Sequence, residues 1–204
     1  MILYFLQGAT LSLPAAIMPG PFQAFLISQA LKNGWKRTLP AVLAPLVTDG
    51  PIITLVLLIL TQTPQWFLDI LRIAGGLFII YLTKGVLASL KTPGPTLDPS
   101  DHAARQTLLN AIVLNFLNPN PYIFWSVVAG PIMLSGWRES AKLGITFIVG
   151  FYGTFVCILV VLIIVFATAG RLDPRVNKVL TAITALALAA FGIYQITVGI
   201  IALK

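Results

Sequence analysis

Charged side chains are scarce in this chain of 204 residues: Asp, Glu, Lys and Arg make up 9% of it, against about 25% in soluble domains. Hydrophobic residues make up 58%, and the mean hydropathy is +0.95. A soluble core cannot hide this much apolar surface. The scarcity of charge therefore excludes an ordinary soluble domain and predicts an all-α membrane protein.

Cysteine and histidine are almost absent as well. A single cysteine, Cys157, excludes an intrachain disulfide and a two-thiol redox relay, and its apolar surroundings predict a buried small hydrophobic residue. The single histidine, His102, lies in a polar stretch and cannot form a metal cluster. The His-Glu-x-x-His, Gly-x-Ser-x-Gly and Walker patterns are missing. The sequence predicts no metal, no cofactor and no enzymatic activity.

The net charge of +7 could indicate a nucleic-acid partner, but the Lys and Arg residues lie between apolar runs and form no basic face. Membrane topology explains them better, so no nucleic acid is expected. No basic residue precedes the first apolar run, which is much longer than the core of a signal peptide. The first helix is expected to be retained.

Apolar runs long enough to cross a bilayer occur six times. They are Ile2–Leu31, Leu39–Leu60, Trp66–Leu90, Leu108–Leu134, Leu143–Ala169 and Val179–Leu203. The connector Lys91–Gln106 is rich in Pro, Asp, Ser and Thr and predicts a solvated loop. We expect one transmembrane domain over residues 1–204.

Proline motifs interrupt the first and fourth runs: Pro19-Gly20-Pro21 in one, and Asn118-Pro119-Asn120-Pro121 in the other. Proline has no backbone N–H and clashes with the carbonyl four residues earlier, so both helices are predicted to break. In a bilayer, freed backbone groups are tolerated only inside protein or beside a wet cavity. Each break is thus a candidate binding position, although a packing kink is the simpler alternative.

Markers recur in the same order in the two halves of the chain. Pro19-Gly20-Pro21 corresponds to Pro119-Asn120-Pro121, Gly34-Trp35 to Gly136-Trp137, and Phe78–Tyr81 to Phe191–Tyr194. We predict two three-helix repeats, at about residues 1–90 and 107–204, joined by a loop at about 91–106. Three spans in each repeat make the repeats inverted, with both breaks near the bilayer midplane.

The distribution of positive charge predicts the orientation. With six spans, nine Lys and Arg residues fall on one side and four on the other, which favours the richer side as cytoplasmic. Both termini are then expected outside the cell.

Asp49 is the most informative charged residue, because it lies in the middle of the second apolar run. An ionised carboxylate inside a bilayer costs at least a few kcal/mol unless it has a partner or water. We interpret it as a proton acceptor or a ligand for a cationic group. The structural alternative is an ion pair with Lys84 on the third helix, and a coupling acid could also be released from such a pair when substrate arrives.

Several polar residues near the breaks could bind substrate or only satisfy the opened backbone. They are Gln23, Asn115, Asn118 and Asn120. Asp69 and Arg72, three residues apart, predict a local pair at the interface. A stripe of small residues on the last helix predicts close packing within the chain or between subunits, and hence a possible homodimer. It consists of Ala182, Ala185, Ala189 and Gly192.

These motifs resemble the lysine-exporter (LysE/RhtB) family of amino-acid effluxers over essentially the whole chain. The resemblance rests on the six spans, Pro19-Gly20-Pro21 in the first helix, Asp49 in the second and Asn118-Pro119 in the fourth. The chain departs from the family pattern where Thr48 replaces a glycine, where Pro40, Pro45 and Pro51 replace glycines, and where Asn120-Pro121 follows. The resemblance implies export of amino acids or related metabolites across the prokaryotic cell membrane, driven by an ion gradient.

The residues and the resemblance together predict a secondary exporter of small zwitterionic or cationic metabolites, operating by proton antiport. The predicted substrate and coupling residues are Asp49, Pro19, Gly20, Pro21, Gln23, Asn115, Asn118, Pro119, Asn120, Pro121 and Lys84. Two alternatives stay open: a cation or metal exporter of the same superfamily, and a membrane assembly or accessory protein that transports nothing.

Overall fold

The computed structural model describes residues 1–56, 64–91 and 102–202, and every regular element in these residues is helical. The α-helices are α1 (Ile2–Ile17), α2 (Pro21–Asn33), α3 (Trp35–Thr38), α4 (Ala44–Thr54), α5 (Gln65–Lys91), α6 (His102–Phe116), α7 (Pro119–Phe124), α8 (Gly130–Glu139), α9 (Ala141–Leu172) and α10 (Pro174–Ala202). A 3₁₀ helix (Leu39–Leu43) precedes α4, and a π-helical segment (Trp125–Ala129) joins α7 to α8.

Both predicted breaks are present. Helix α1 ends at Ile17 and α2 begins at Pro21, and the two axes differ by 67°. Helix α6 ends at Phe116 and α7 begins at Pro119, after Asn118 in an extended conformation. In each case a proline occupies the first helical position, where its missing N–H costs nothing.

Three described helices, α5, α9 and α10, are long and apolar enough to cross a membrane, or four if α1 and α2 together form one bent span. The predicted six-span inverted repeat is therefore not confirmed. The second predicted span is divided between the 3₁₀ helix and α4, because Pro40 and Pro45 lack backbone donors on either side of the junction. Pro51 lies inside α4. Its last residues, 57–60, lie outside the described part of the chain.

Glycines let the long helices approach each other closely. A β-carbon at Gly8 of α1 would meet the backbone carbonyl of Phe147 on α9, and one at Gly150 of α9 would meet the carbonyl of Phe5. On the other side of the bundle, a β-carbon at Gly192 of α10 would lie 3.1 Å from the Gly76 carbonyl of α5. Small residues that admit a neighbouring backbone are the usual contact between membrane helices.

This packing accounts for two of the four residues of the small-residue stripe. Gly192 and Ala185 are buried within the chain, and Gly192 packs against α5. These two positions serve internal packing, whereas Ala182 and Ala189 of the stripe are only partly buried, and the homodimer stays a prediction.

Two smaller predictions need correction. Cys157 is exposed, not buried, because it lies on the outward face of α9, where a membrane protein presents apolar residues to lipid. The predicted connector is shorter than Lys91–Gln106, since α5 continues through Lys91 and α6 begins at His102. Residues 92–101 lie outside the described part of the chain.

Candidate functional site

The Asp49 carboxylate is buried where four elements meet, with 5% of the residue exposed. Its Oδ1 accepts a hydrogen bond from Asn115 Nδ2 of α6 at 3.0 Å and lies 3.4 Å from Thr48 Oγ1. Its Oδ2 accepts from Tyr152 Oη of α9 at 2.8 Å and from Trp125 Nε1 of the π-helical segment at 3.4 Å. Both oxygens thus have neutral donors. We call Thr48, Asp49, Asn115, Trp125 and Tyr152 the Asp49 cluster.

Two of these donors, Asn115 and Trp125, belong to the fourth run, where the helix is interrupted. Asn115 lies in the last turn of α6, directly before the second break, and also donates to Thr48 Oγ1 at 2.6 Å. Trp125 begins the π-helical segment that follows α7, and π-helical turns occur often at functional sites. The irregular backbone of the fourth run therefore turns side chains toward α4 that a continuous helix would place differently.

Aromatic rings close the cluster on one side. The Trp125 and Tyr152 rings stack with centroids 6.2 Å apart, and Phe151 meets the Trp125 ring edge to face at 5.4 Å. Such a wall keeps the local dielectric low, so any charge that reaches Asp49 interacts with it strongly.

The predicted alternative, an ion pair between Asp49 and Lys84, is wrong. Within the described residues the only ion pair joins Arg72 to Asp69, as predicted, and Asp49 has only neutral partners. Lys84 is exposed and lines a separate cavity between α2, α5 and α6. The two residues cannot neutralise each other, because Asp49 faces α6 and α9 instead of α5.

The remaining polar residues at the breaks bond mainly to backbone. Gln23 Nε2 reaches back from α2 to the Ala15 carbonyl at 2.9 Å, which satisfies an acceptor at the end of α1. Asn118 Oδ1 caps α7 by accepting from the N–H of Asn120 at 3.1 Å, and the side chain of Asn120 is exposed. Of the amides considered, only Asn115 is directed to Asp49. The other predicted site residues of the two motifs shape the breaks and have no polar side-chain group with which to bind Asp49. They are Pro19, Gly20, Pro21, Pro119 and Pro121.

Sequence reasoning missed Trp125 and Tyr152, and it treated Thr48 only as a departure from a family pattern. A signal for Tyr152 was available, since a tyrosine deep in an apolar span needs a partner for its hydroxyl. Trp125 gave no comparable signal, because its position depends on the π-helical turn. No group of three or more His, Cys, Asp or Glu side chains that could hold a metal lies within the described residues.

Long apolar helices, two helix breaks and a buried carboxylate at the junction of several elements define a multi-pass helical membrane protein of the translocator class. The chain belongs to the LysE type translocator family, whose model matches residues 13–199. This confirms the family resemblance and identifies a membrane transporter of small molecules. Searches of curated proteins and of solved structures gave no match.

Proposed function

We propose that this translocator is a secondary exporter of amino acids or related small zwitterionic metabolites, and that it exchanges them for protons. The observation that supports this most is Asp49, a buried carboxylate whose described partners are all neutral. Buried charges in membrane proteins commonly mark ion or substrate pathways.

Neutral partners leave Asp49 able to change its charge. A carboxylate held by a lysine or arginine would be fixed as an ion pair, whereas hydrogen bonds from Asn115 and Tyr152 support the anion without neutralising it. A proton or a substrate ammonium group can then neutralise it, but not both at once. This competition is what an antiporter requires.

The first break is suited to binding the carboxylate of the substrate, while Asp49 binds its ammonium group. Helix α2 begins at Pro21 with no side-chain cap, so its first N–H groups and the positive end of its dipole remain available for a carboxylate. Helix α7 differs, because Asn118 caps it from within the chain. We assign the first break, and not the second, to carboxylate binding at depth.

Reconstitution into proteoliposomes tests the proposal. Vesicles loaded with a panel of zwitterionic and cationic amino acids should release at least one of them faster when a pH gradient is imposed. Asp49→Asn keeps the size of the side chain and removes its charge, so this variant should fold normally and lose gradient-driven release.

Asp173→Asn is the matched control, because Asp173 is exposed and an asparagine can still accept the bond from Arg175 N. This variant should transport like the wild type. If no amino acid showed gradient-driven flux, the alternative of a membrane accessory protein would be favoured. If Asp49→Asn kept the flux of the wild type, Asp49 would not be the coupling residue. Adding Lys84→Met to Asp49→Asn should not restore transport, since the two side chains do not pair.

A further inference from the structure

A second polar site lies between α2, α5 and α6, away from the Asp49 cluster. It is a cavity of about 630 Å³, within the range of about 300–1,000 Å³ that small-molecule pockets occupy. Its charged lining consists of Lys32 and Lys84. Its amide and hydroxyl groups come from Gln29, Asn33, Tyr81, Gln106, Thr107 and Asn110. We call it the lysine cavity.

The lysine cavity is positively charged as far as the structure describes it. Its described lining contains no Asp or Glu, and neither Lys32 nor Lys84 makes an ion pair or hydrogen bond within residues 1–56, 64–91 and 102–202. Two lysine ammonium groups facing one cavity repel each other unless an anion lies between them. The cavity therefore favours a negatively charged ligand group and disfavours a cationic one.

Polar groups on the cavity wall are already held in position. Asn33 Nδ2 donates to Gln29 Oε1 at 3.1 Å and to Thr107 Oγ1 at 3.4 Å, which ties α2 to α6. Gln106 Nε2 donates to Asn110 Oδ1 at 3.0 Å. Asn33 and Thr107 are buried, so this side of the site exists before a ligand arrives.

Helix α6 connects the two sites. Thr107 lines the lysine cavity and Asn115 contacts Asp49, and eight residues of helix separate them by about 12 Å. The carboxylate and ammonium of an α-amino acid are attached to one carbon atom, so the two groups are much closer together than Thr107 and Asn115. This favours occupation of the two sites one after the other.

We infer that the lysine cavity is a carboxylate-binding station that the transported solute occupies before or after Asp49, and that it selects zwitterionic over cationic solutes. This inference rests on the proposed function and narrows its substrate class. Lys32 and Lys84 attract the carboxylate, and the same two charges repel a solute with a net positive charge.

Binding to the protein in phosphatidylcholine nanodiscs tests the inference. The probes are L-alanine, L-serine, L-leucine and L-phenylalanine, each compared with its own carboxamide, in which a neutral amide replaces the carboxylate and the molecule is a cation. At least one amino acid should bind about tenfold or more tightly than its carboxamide, because charge-assisted contacts to lysine are lost with the carboxylate. Failure of all four to exceed their carboxamides would overturn the inference.

Single substitutions show which residues cause the difference in affinity between each amino acid and its carboxamide. Lys84→Gln and Lys32→Gln should each weaken amino-acid binding about tenfold, and neither should weaken carboxamide binding, because the carboxamides are cations that the lysines repel. Lys142→Gln is the control, since Lys142 is exposed at the start of α9, outside the cavity, and this variant should bind like the wild type. Equal losses for acid and amide, or wild-type binding in both cavity variants, would reject the site. If Asp98→Asn or Asp101→Asn bound the amino acid more tightly than the wild type, a carboxylate of the chain itself would be competing for Lys32 and Lys84. That result would also reject the site.

Two further measurements separate competing explanations. If phosphatidylglycerol in the nanodiscs displaces the amino acid from the wild type but not from Lys84→Gln, the cavity belongs to a lipid headgroup and the inference fails. If the protein bound amino acids more tightly than their carboxamides but showed no gradient-driven flux, only the transport proposal would be refuted. If flux were present but the Lys32 and Lys84 variants did not change it, only the assignment of the lysine cavity would be refuted.

Discussion

Tyr152 donates the shortest hydrogen bond that Asp49 receives, at 2.8 Å, and it does so from the middle of an apolar helix. A hydrogen bond to a charged group contributes about 1.5–3 kcal/mol. The hydroxyl also has no other partner in the described part of the chain. Tyr152 is therefore a positioning residue for the Asp49 carboxylate.

Tyr152→Phe should lower gradient-driven transport about tenfold while leaving the protein folded, because the ring stack with Trp125 is kept and only the hydroxyl is lost. Initial rates in proteoliposomes at several pH values would measure this. Tyr194→Phe changes an exposed tyrosine and should have no effect. Wild-type rates and an unchanged pH profile in Tyr152→Phe would show that the hydroxyl does not position Asp49.

Asp49 itself was identifiable from the sequence, but its surroundings were not. An isolated carboxylate inside an apolar run is a local signal that needs no knowledge of the fold. Its partner Tyr152 is 103 positions away in the chain, so their contact depends on how α9 packs beside α4. Lys84 was a reasonable partner by depth alone, but it lines the cavity between α2, α5 and α6, whereas Asp49 faces α6 and α9.

At the scale of elements, the second break depends on Asn118. Its side chain caps α7 by accepting from Asn120 N, a bond that other small oxygen-bearing side chains can also make. The sequence left open whether this amide binds substrate or satisfies backbone, and the observed geometry favours backbone.

Asn118→Ser should keep both stability and transport, because serine caps a helix about as well as asparagine. Asn118→Ala should lower the free energy of unfolding by about 1 kcal/mol. Thermal unfolding in detergent and flux in proteoliposomes would measure the two effects. Loss of transport in a fully stable Asn118→Ser variant would instead indicate that the amide contacts substrate.

The crossing of α1 and α9 offers a matched pair of glycines on one helix. A β-carbon at Gly150 would collide with the Phe5 carbonyl, whereas one at Gly153 would meet open space. Overpacking against backbone costs about 1–3 kcal/mol, and alanine in a helix interior gains up to about 1 kcal/mol over glycine.

Gly150→Ala should therefore destabilise the protein, and Gly153→Ala should leave it unchanged or slightly more stable. The midpoint of thermal unfolding, followed by near-ultraviolet circular dichroism, distinguishes the two variants. Equal midpoints would mean that α1 and α9 do not approach as closely as the structure shows.

Sequence and structure agree best on the breaks, because a proline's missing N–H acts locally and does not depend on the neighbouring helices. They agree least on continuous spans. The prolines at Pro40, Pro45 and Pro51 carried the same local signal as the break motifs, yet the apolar character of the run predicted one span across them.

On the scale of the whole molecule, basic residues from separate elements gather at one end. Arg171 of α9 lies against Gly34, two residues after Lys32, and Asn177 of α10 donates to the Leu31 carbonyl at 3.1 Å. Lys142 lies at the other end of α9, twenty-nine residues from Arg171, or about 43 Å along the helix. Such a helix exceeds the hydrocarbon core of about 30 Å.

We predict that the end bearing Lys36 and Arg171 faces the cytoplasm. In a Cys157→Ser background, Lys142→Cys should react with a membrane-impermeant maleimide on intact cells, and Lys36→Cys should react only after permeabilisation. Both positions are exposed, so accessibility within the protein is comparable. The reverse labelling pattern would invert the orientation.

Trp125 is an intrinsic fluorescent probe beside the Asp49 carboxylate. Its indole nitrogen lies 3.4 Å from Asp49 Oδ2, so the excited state of the ring experiences the local field of that charge directly. The chain contains four tryptophans, and replacing the other three, Trp35, Trp66 and Trp137, by phenylalanine would leave Trp125 as the sole emitter of its kind. Its emission maximum should then shift as the carboxylate gains a proton or a substrate ammonium group, so that both events could be followed in real time without an added label.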